Sequence, residues 1–215
     1  LKMKPDVCEA FIRQLVWREF AYQMLVHFPQ TVNKPLNQNF EKFPWLNNEE
    51  HYHKWCYGQT GIPLIDAGMR ELWSTGYMHN RVRMNVASYL TKHLLVDFTK
   101  GMSWFWDTLI DCDIANNTFG WQWASGSGAD AAPYFRIFNP YLQSAKFDGE
   151  AVYIRKWIPE LRHLSDKDIM EPDQASEDSL KEAGVVLGDT YPYPVVTHKA
   201  GRARALLAYE DIKKG

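Results

Sequence analysis

The 215-residue chain fits one domain, or at most two small ones, and its hydrophobic fraction of 46% supports a packed core. Its formal net charge of -2 gives no argument from bulk charge for or against nucleic acid, so any anionic partner would have to be met by a local basic patch. The 3 cysteines show no paired spacing, which disfavours a disulfide framework and favours a reducing, cytoplasmic compartment, and no apolar run reaches membrane length.

Hydrophobic periodicity predicts a mainly α fold. In chain order, helices are predicted over residues 6–27, 48–57, 62–74, 79–97, 101–115, 150–163 and 201–213. Pro63 suits the first turn of the third helix, and Thr75-Gly76 stops it. The Pro- and Asn-rich stretch 29–48 is predicted to be a surface loop, the chain beyond Ser125 to be irregular, and an acidic, Pro-rich loop to separate the last two helices. Two short apolar runs favour buried loop over strand: Val185-Val186-Leu187 and Val195-Val196.

The segment from Asp111 to Trp123 is unusually rich in polar and aromatic side chains. It holds two carboxylates, three amides and two indoles. Asp and Asn are poor residues for a helix interior because their side chains compete for backbone hydrogen bonds, and Trp is costly to place unless it covers a large apolar surface. The mixture is typical of a pocket that grips a polar, planar, aromatic ligand.

The first predicted helix places four side chains at helical spacing on one face: Gln14, Trp17, Arg18 and Ala21. This face combines an amide, an indole and a guanidinium. Taken alone, it is better explained by an ordinary amphipathic helix in which Arg18 extends its charged end to solvent.

One face of the predicted helix 79–97 carries three further candidates, with Arg81 displaced to their side: Asn80, Arg83 and Met84. Burying Arg83 would be costly unless a carboxylate met it, and Asp111 or Asp113 could supply that partner. A purely structural ion pair would leave the same pattern in the sequence.

Other kinds of site find little support in the sequence. His51, His53 and Cys56 fit no common zinc spacing and no fourth ligand is evident, so no metal site is predicted. The run Gly126-Ser127-Gly128 lacks the lysine and the strand-to-helix context of a phosphate-binding loop. There is no nucleophile elbow, although the sequence leaves a Ser/His/Asp triad open.

Five motifs in order along the chain resemble the C-terminal FAD-binding domain of the DNA photolyase and cryptochrome family. They are Leu15–Phe20, Thr60–Arg70, Met78–Met84, Asp111–Trp123 and Pro133–Pro140. The resemblance runs from about Phe11 to near the end of the chain and implies that residues 1–215 form a multi-helical, catalytic FAD-binding domain. By this resemblance we expect the given sequence to lack the family's N-terminal α/β antenna domain and the Thr- and Ser-rich segment that clasps the FAD phosphates. Since no initiator Met opens the chain either, we expect a fragment that is incomplete at its N-terminal side.

The resemblance implies that FAD binds in a bent form at the centre of the helical domain. Asn117 would face the flavin N5, where an amide can stabilise reduced or radical flavin. Asp111 would pair with Arg83 beside the isoalloxazine. Asp113 would hydrogen-bond the cofactor, and Arg18 would lie near its phosphates.

The family also has a chain of tryptophans that carries electrons to the flavin, and here Trp121 and Trp45 would be its two outer members. Phe98 stands where the middle Trp is expected, and a phenyl ring is much harder to oxidise. Trp104 and Trp106 could provide a detour.

By the same resemblance, the partner is DNA that contains a cyclobutane pyrimidine dimer, and the flipped dimer enters the pocket. Five side chains would surround it: Gln14, Trp17, Asn80, Met84 and Trp123. Indole faces and apolar walls would replace the stacking that flipping removes, and Arg81 and Arg136 would contact DNA phosphates. Enzymes that repair (6-4) photoproducts carry histidines at the positions of Asn80 and Met84. Gln14 departs from the Glu usual in dimer photolyases, since it keeps a donor and an acceptor but loses the charge.

The implied activity is light-dependent DNA repair, in which an electron passes from excited, reduced FAD to the dimer. The protein would act as a monomer, associated with the nucleoid if it is bacterial. A cryptochrome-like blue-light photosensor without repair activity is the alternative, and it is supported by the plant-type motifs Gly68–Trp73 and Phe105–Leu109. A third reading is a helical module that no longer binds flavin. The walls formed by Trp17, Met84 and Trp123 favour repair, because a sensor does not need them.

Overall fold

Ten α-helices form within residues 5–130, 133–134 and 136–214, which the computed structural model describes. They are α1 (Pro5–His27), α2 (Glu49–Cys56), α3 (Pro63–Thr75), α4 (Asn80–Ser88), α5 (Phe98–Thr108), α6 (Ile114–Ser125), α7 (Pro140–Phe147), α8 (Val152–Trp157), α9 (Glu177–Glu182) and α10 (His198–Lys214). A π-helical turn, Tyr89–His93, continues α4. No β-strand forms among these residues, so the predicted mainly α fold is confirmed. Phe135 of the fifth motif lies outside the described residues.

Three predicted helices begin and end near the expected residues, and local caps define two of them. α1 covers the predicted range 6–27. At the start of α2, the side chain of Asn48 accepts a hydrogen bond from the backbone N–H of His51. α3 begins at Pro63, where a missing N–H costs nothing, and ends at Gly76, whose φ of 69° is left-handed.

The predicted helix 79–97 is wrong beyond His93. The π-helical turn ends there, and Leu95 adopts a φ of 51°. The backbone carbonyl of Leu95 accepts hydrogen bonds from the N–H groups of Leu46 and Asn47 instead of continuing a helix. These residues therefore anchor the preceding loop to the core.

The predicted helix 101–115 is in fact two helices. α5 begins earlier, at Phe98, because the side chain of Asp97 accepts from the N–H of Thr99, and it ends at Thr108. α6 then begins at Ile114, and the sequence analysis did not predict it. Its Asp and Asn residues, which argue against a helix interior, lie in its cap and first turn, where Asp113 satisfies a free backbone N–H.

Other differences come from short elements. The stretch 29–48 is not a surface loop throughout, because Phe40 and Phe43 are buried in a small aromatic cluster. α8 is shorter than the predicted range 150–163, and α10 begins before the predicted range 201–213. α7 and α9 lie in stretches that were predicted to be irregular.

The two apolar runs near the C-terminus form no strand, as predicted, but only one residue of each run is buried. Val185 and Val196 are buried, although Val186 is 57% exposed. The segment is held by Tyr191, whose hydroxyl donates at 2.7 Å to the fully buried Asp66 of α3. Burial raises the pKa of the Asp66 carboxyl, against the opposing effect of the hydrogen bonds that it accepts.

The core positions α6 against three other helices. α6 packs on α1, α4 and α5, while α3 packs on α4 and α8. The largest buried cluster includes Trp55, Ile65, Met69 and Trp121. α6 is therefore held firmly on its buried side, and its opposite side faces the cleft between α1 and α4.

α1 is less well covered than the other long helices. Phe11, Ile12 and Val16 are 60%, 57% and 62% exposed, and Ile12 and Val16 lie one helical turn apart. α1 is nevertheless too polar to be a membrane span, and no helix among the described residues is both long and apolar enough to cross a membrane.

Candidate active site

A cavity of about 390 Å³ opens between α1, α4, α6 and the segment that joins α5 to α6. Ten of the side chains identified in the sequence line it: Gln14, Trp17, Asn80, Arg83, Met84, Asp111, Asp113, Asn117, Trp121 and Trp123. Four identified side chains do not line it: Arg18, Trp45, Arg81 and Arg136. The fold thus brings most of the predicted site together from distant parts of the chain.

Arg83 and Asp111 form the ion pair that the sequence predicts. Arg83 Nη2 donates to both carboxylate oxygens of Asp111, at 3.1 and 2.9 Å, while its Nε donates to the carbonyl of Met78 at 2.6 Å. The side chains are 24% and 50% exposed, respectively. The pair is therefore ordered at the cavity wall but screened by solvent on the carboxylate side.

Asp113 uses both carboxylate oxygens within the protein. Oδ1 accepts from the backbone N–H and the side-chain amide of Asn116, at 2.9 and 2.6 Å, and Oδ2 accepts from the hydroxyl of Tyr22 at 2.5 Å. Burial raises the pKa of Asp113, but the hydrogen bonds from Tyr22 and Asn116 outweigh it, and the net shift is downward. An ionised Asp113 thus ties α1 to the start of α6. Tyr22 was not identified in the sequence, although it lies on the same helix as Gln14 and Trp17.

Asn117 is fixed by a hydrogen bond to the neighbouring helix. Its Nδ2 donates at 2.9 Å to the carbonyl of Met102 on α5, and the side chain is half-buried. Only one of the hydrogen-bonding groups of the amide is used in this contact. The remaining groups can serve a ligand, held at a defined place in the cavity wall.

The indole of Trp17 packs against two phenyl rings. Its ring centroid lies 6.0 Å from Phe20 and 6.1 Å from Phe119, and the two phenyl rings are 5.5 Å apart in an edge-to-face arrangement. Trp17 remains 40% exposed on the cavity side. Phe119 was not identified in the sequence, because its role depends on the packing of α1 against α6. Trp123 is backed in a similar way by Phe138, at 6.5 Å.

The remaining lining side chains are only lightly held. Gln14 is exposed, and Asn80 Nδ2 lies 3.9 Å from the sulfur of Met84, a weak contact between residues one turn apart. These three side chains can therefore rearrange around a ligand more easily than Asp113 or Asn117.

Trp121 occupies the inner end of the cavity and is 2% exposed. It packs edge-on against Phe105 at 5.0 Å and against the fully buried Trp55 at 6.1 Å. Phe98 is also buried, at 2% exposure, so the position of the expected middle Trp is part of the core. Trp55 was not identified in the sequence, although it is the tryptophan in ring contact with Trp121.

The other tryptophans of interest lie farther out. Trp45 packs on Phe43 with ring centroids 4.4 Å apart and is half-buried. Trp104 stacks on Trp73 at 5.7 Å, and Trp106 is 53% exposed. None of the three lines the cavity.

Three predicted cationic contacts lie outside the cavity. Arg18 is exposed and pairs with Glu19 at 3.2 Å. The guanidinium of Arg81 lies 4.0 Å above the ring of Phe147, on the side of α4 that faces a second cavity of about 410 Å³. Arg136 is exposed. These positions suit contacts with a large partner better than contacts with a small molecule inside the cleft.

The predicted absence of a metal site concerns His51, His53 and Cys56 on α2. Burial raises the pKa of the Cys56 thiol to about 12, which disfavours the thiolate that binds metals. In the part of the chain that the structure describes, no three His, Cys, Asp or Glu side chains are grouped so that they could hold a metal ion.

Residues 11–211 match the family model for the FAD binding domain of DNA photolyase. The chain is 54% identical over 204 residues to a deoxyribodipyrimidine photo-lyase of Agrobacterium fabrum, a match that covers 95% of this chain and 43% of the relative. It is 44% identical to Cryptochrome-2 of Arabidopsis thaliana, over 94% of this chain and 33% of that protein. The crystal structure of a bacterial class III photolyase from Agrobacterium tumefaciens superposes with a TM-score of 0.97 at 52% identity, covering 100% of this chain and 44% of that one. The chain thus spans less than half the length of these relatives.

Proposed function

The chain belongs to the DNA photolyase and cryptochrome family, as its FAD-binding domain, and on that premise we propose that it carries out light-dependent DNA repair. The substrate we propose is a cyclobutane pyrimidine dimer flipped out of DNA. The observation that carries this proposal is that the half-exposed indole of Trp17 and the fixed amide of Asn117 line the same cavity. A flat apolar face beside a polar site is what a flipped pyrimidine dimer requires.

A planar cofactor with polar edges fits the cavity. Its walls provide flat apolar faces, an ion pair, a carboxylate and an amide within one opening of about 390 Å³. When bound, reduced FAD would supply the light-driven electron for dimer cleavage. Four lining residues would hold the ring system: Arg83, Asp111, Asp113 and Asn117. Arg18, which is exposed on α1, would meet the phosphates.

Each of these side chains has a distinct physical task. The Arg83–Asp111 pair presents opposite charges at one edge of the cavity, so it can complement a ring system that carries both donors and acceptors. Asp113 fixes the start of α6 and thereby the position of Asn117 along the helix axis, one turn farther on. Asn117 would hold the proton-bearing ring nitrogen by its amide, because the contact with Met102 prevents the amide from turning away.

The lesion would be bound by Gln14, Trp17, Asn80, Met84 and Trp123. Trp17 and Trp123 would replace the base stacking that is lost when the dimer flips out. The uncharged Gln14 and Asn80 would donate to the pyrimidine carbonyl groups, and Met84 would fill the remaining space.

Arg81 and Arg136 would form a cationic rim for the DNA backbone. Both positions lie outside the cavity, as required for contacts with phosphates that flank a flipped dimer. We propose that the protein binds DNA as a monomer and works in the cytoplasm, associated with the nucleoid if it is bacterial. Trp121 and Trp45 would serve the photoreduction of the flavin rather than repair itself.

The experiment compares Trp17→Ala with Trp106→Ala, a change of the same kind at an exposed indole outside the cavity. Flavin-loaded protein is titrated with a dimer-containing oligonucleotide, and dimer loss is followed under blue light. Trp17→Ala should weaken dimer binding by about 1–3 kcal/mol through lost stacking, while Trp106→Ala should bind normally. Normal dimer binding by Trp17→Ala would contradict the proposal, and so would an absence of repair in the unsubstituted, flavin-reduced protein.

A cryptochrome-like photosensor is the second candidate, and the 44% identity to a plant cryptochrome is the observation that favours it. It predicts a visible flavin spectrum that responds to blue light without any loss of dimers. A helical module without flavin predicts no visible absorption at all. One absorption spectrum and one repair assay therefore separate the three possibilities.

A further inference from the structure

Gly120 lies in the interior of α6, where glycine is a poor choice. Glycine is the least favourable helix residue after proline, because it loses the most backbone freedom and covers no surface. Gly120 is exposed and does not adopt the left-handed conformation for which glycine is usually needed. The backbone of α6 alone therefore does not explain it.

The other glycines inside described α-helices are explained by close packing. A Cβ on Gly68 would lie 2.4 Å from Val82, one on Gly101 would lie 2.1 Å from the Trp121 ring, and one on Gly201 would lie 2.7 Å from the His93 ring. All three distances are shorter than van der Waals contact. In each case a neighbouring side chain occupies the space where a methyl group would go.

Gly120 differs, because a Cβ there would meet nothing within 4 Å. The open space is the cavity itself, which Gly120 lines together with Asn117, one turn earlier, and Trp123, one turn later. No protein atom thus replaces the missing side chain.

We propose that Gly120 is a close-approach position, where a planar heteroaromatic ring packs directly against the backbone of α6. This inference rests on the function proposed above. A residue without Cβ allows a ring into van der Waals contact with the helix backbone, and any larger residue holds the ring away. Ring contact would cover the backbone that Gly120 leaves exposed, and it would bring the ring edge within reach of the Asn117 amide.

Two ligands of the proposed function could pack a ring against Gly120: the flavin and the pyrimidine dimer. Flavin retention and dimer affinity are therefore measured separately. Loss of flavin retention on substitution assigns the position to the cofactor. Loss of dimer affinity in protein that keeps its flavin assigns it to the lesion.

The first measurement is thermal unfolding of the flavin-free protein. Gly120→Ala should raise the unfolding temperature by about 2–4 °C, because it improves helix propensity and meets no steric obstacle. Gly101→Ala is the matched control, since the same methyl group would collide with Trp121 there and should lower the unfolding temperature.

The second measurement is ligand binding by the same variants. Gly120→Ala should weaken retention of FAD, or binding of a dimer-containing oligonucleotide, by about tenfold, and Gly120→Leu should weaken it further. The single methyl group that Gly120→Ala adds would thus raise the unfolding temperature and lower the affinity for the ligand. That opposition is not expected of a residue whose role is only structural.

The outcomes separate this inference from the proposed function. If the unsubstituted protein takes up no flavin and binds no dimer, the proposed function fails. If it binds both and Gly120→Ala binds them equally well, the function stands and the close-approach position is wrong. A lower unfolding temperature for Gly120→Ala would also overturn the inference, because it would show a packing contact within the protein.

Discussion

Asp113 offers a direct test of how the start of α6 supports the site. Asp113→Ala removes a helix cap, worth about 1 kcal/mol, and a carboxylate at the positive end of a helix, worth about 0.3–1 kcal/mol. The expected loss of stability is therefore about 1.3–2 kcal/mol, or about 3–8 °C in unfolding temperature for a chain of this size. Asp113→Asn keeps a capping oxygen and should lose only the contribution of the charge.

The pH dependence of the stability difference between the unsubstituted protein and Asp113→Asn gives a sharper test. The pKa of Asp113 is lowered in the folded protein, so its charge contributes stability above the usual Asp pKa of about 3.9, and this contribution is lost as the pH falls through the folded value. The difference in free energy of unfolding between the unsubstituted protein and Asp113→Asn should thus be largest at pH 7 and should disappear as the pH is lowered. Thermal unfolding followed by circular dichroism at several pH values measures it. A gap that does not change with pH, or an Asn variant as unstable as the Ala variant, would refute the reasoning.

The remaining predictions concern the ion pair, the rim and the core phenyl ring. Asp111→Ala should cost at most about 1 kcal/mol of stability in urea titrations, since the pair with Arg83 is half exposed, yet it should weaken flavin retention measured by absorbance. Arg81→Gln and Arg136→Gln should each weaken the binding of damaged and undamaged DNA equally. Each should also lower the dependence of the binding constant on salt concentration by about one phosphate contact. Phe98→Trp should accelerate photoreduction of bound flavin while leaving the repair yield of reduced protein unchanged, because repair does not use the relay.

Each of these has a result that would contradict it. A loss of several kcal/mol on removing Asp111 would mean that the pair is buried in solution. DNA binding whose affinity does not change with salt concentration would exclude the cationic rim. Equal photoreduction with and without Phe98→Trp would mean that another route carries the electron, and Trp55, in ring contact with Trp121, is the first to test by substitution with Phe.

Residues on a single helix were predicted well from the sequence. Asn80, Arg83 and Met84 line one cavity because helical spacing alone places them on one face. The residues alone left Asp111 or Asp113 as the partner of Arg83, since a charge in a cleft needs a carboxylate. The family resemblance implied Asp111, and this is the pair that forms.

What the sequence did not predict depends on contacts between distant segments. Asp113 and Asn117 argued against helix, yet they cap and begin α6, because short polar side chains suit the first turn as much as they disfavour the interior. Phe119 and Tyr22 have roles only because α1 packs on α6. Leu95 has a left-handed conformation, and its carbonyl accepts hydrogen bonds from a loop that is distant in sequence. None of these contacts produces a periodic pattern of residues from which it could be predicted.

The apolar face of α1 has a practical consequence for every measurement suggested above. Phe11, Ile12 and Val16 are exposed apolar side chains on this helix, and exposed apolar surface of this kind draws copies of a protein together as its concentration rises. Association that favours the folded state raises the apparent unfolding temperature by mass action. Variants are therefore comparable only at one protein concentration, and a dilution series on the unsubstituted chain sets the range in which a shift of a few degrees reports on the substituted residue rather than on self-association.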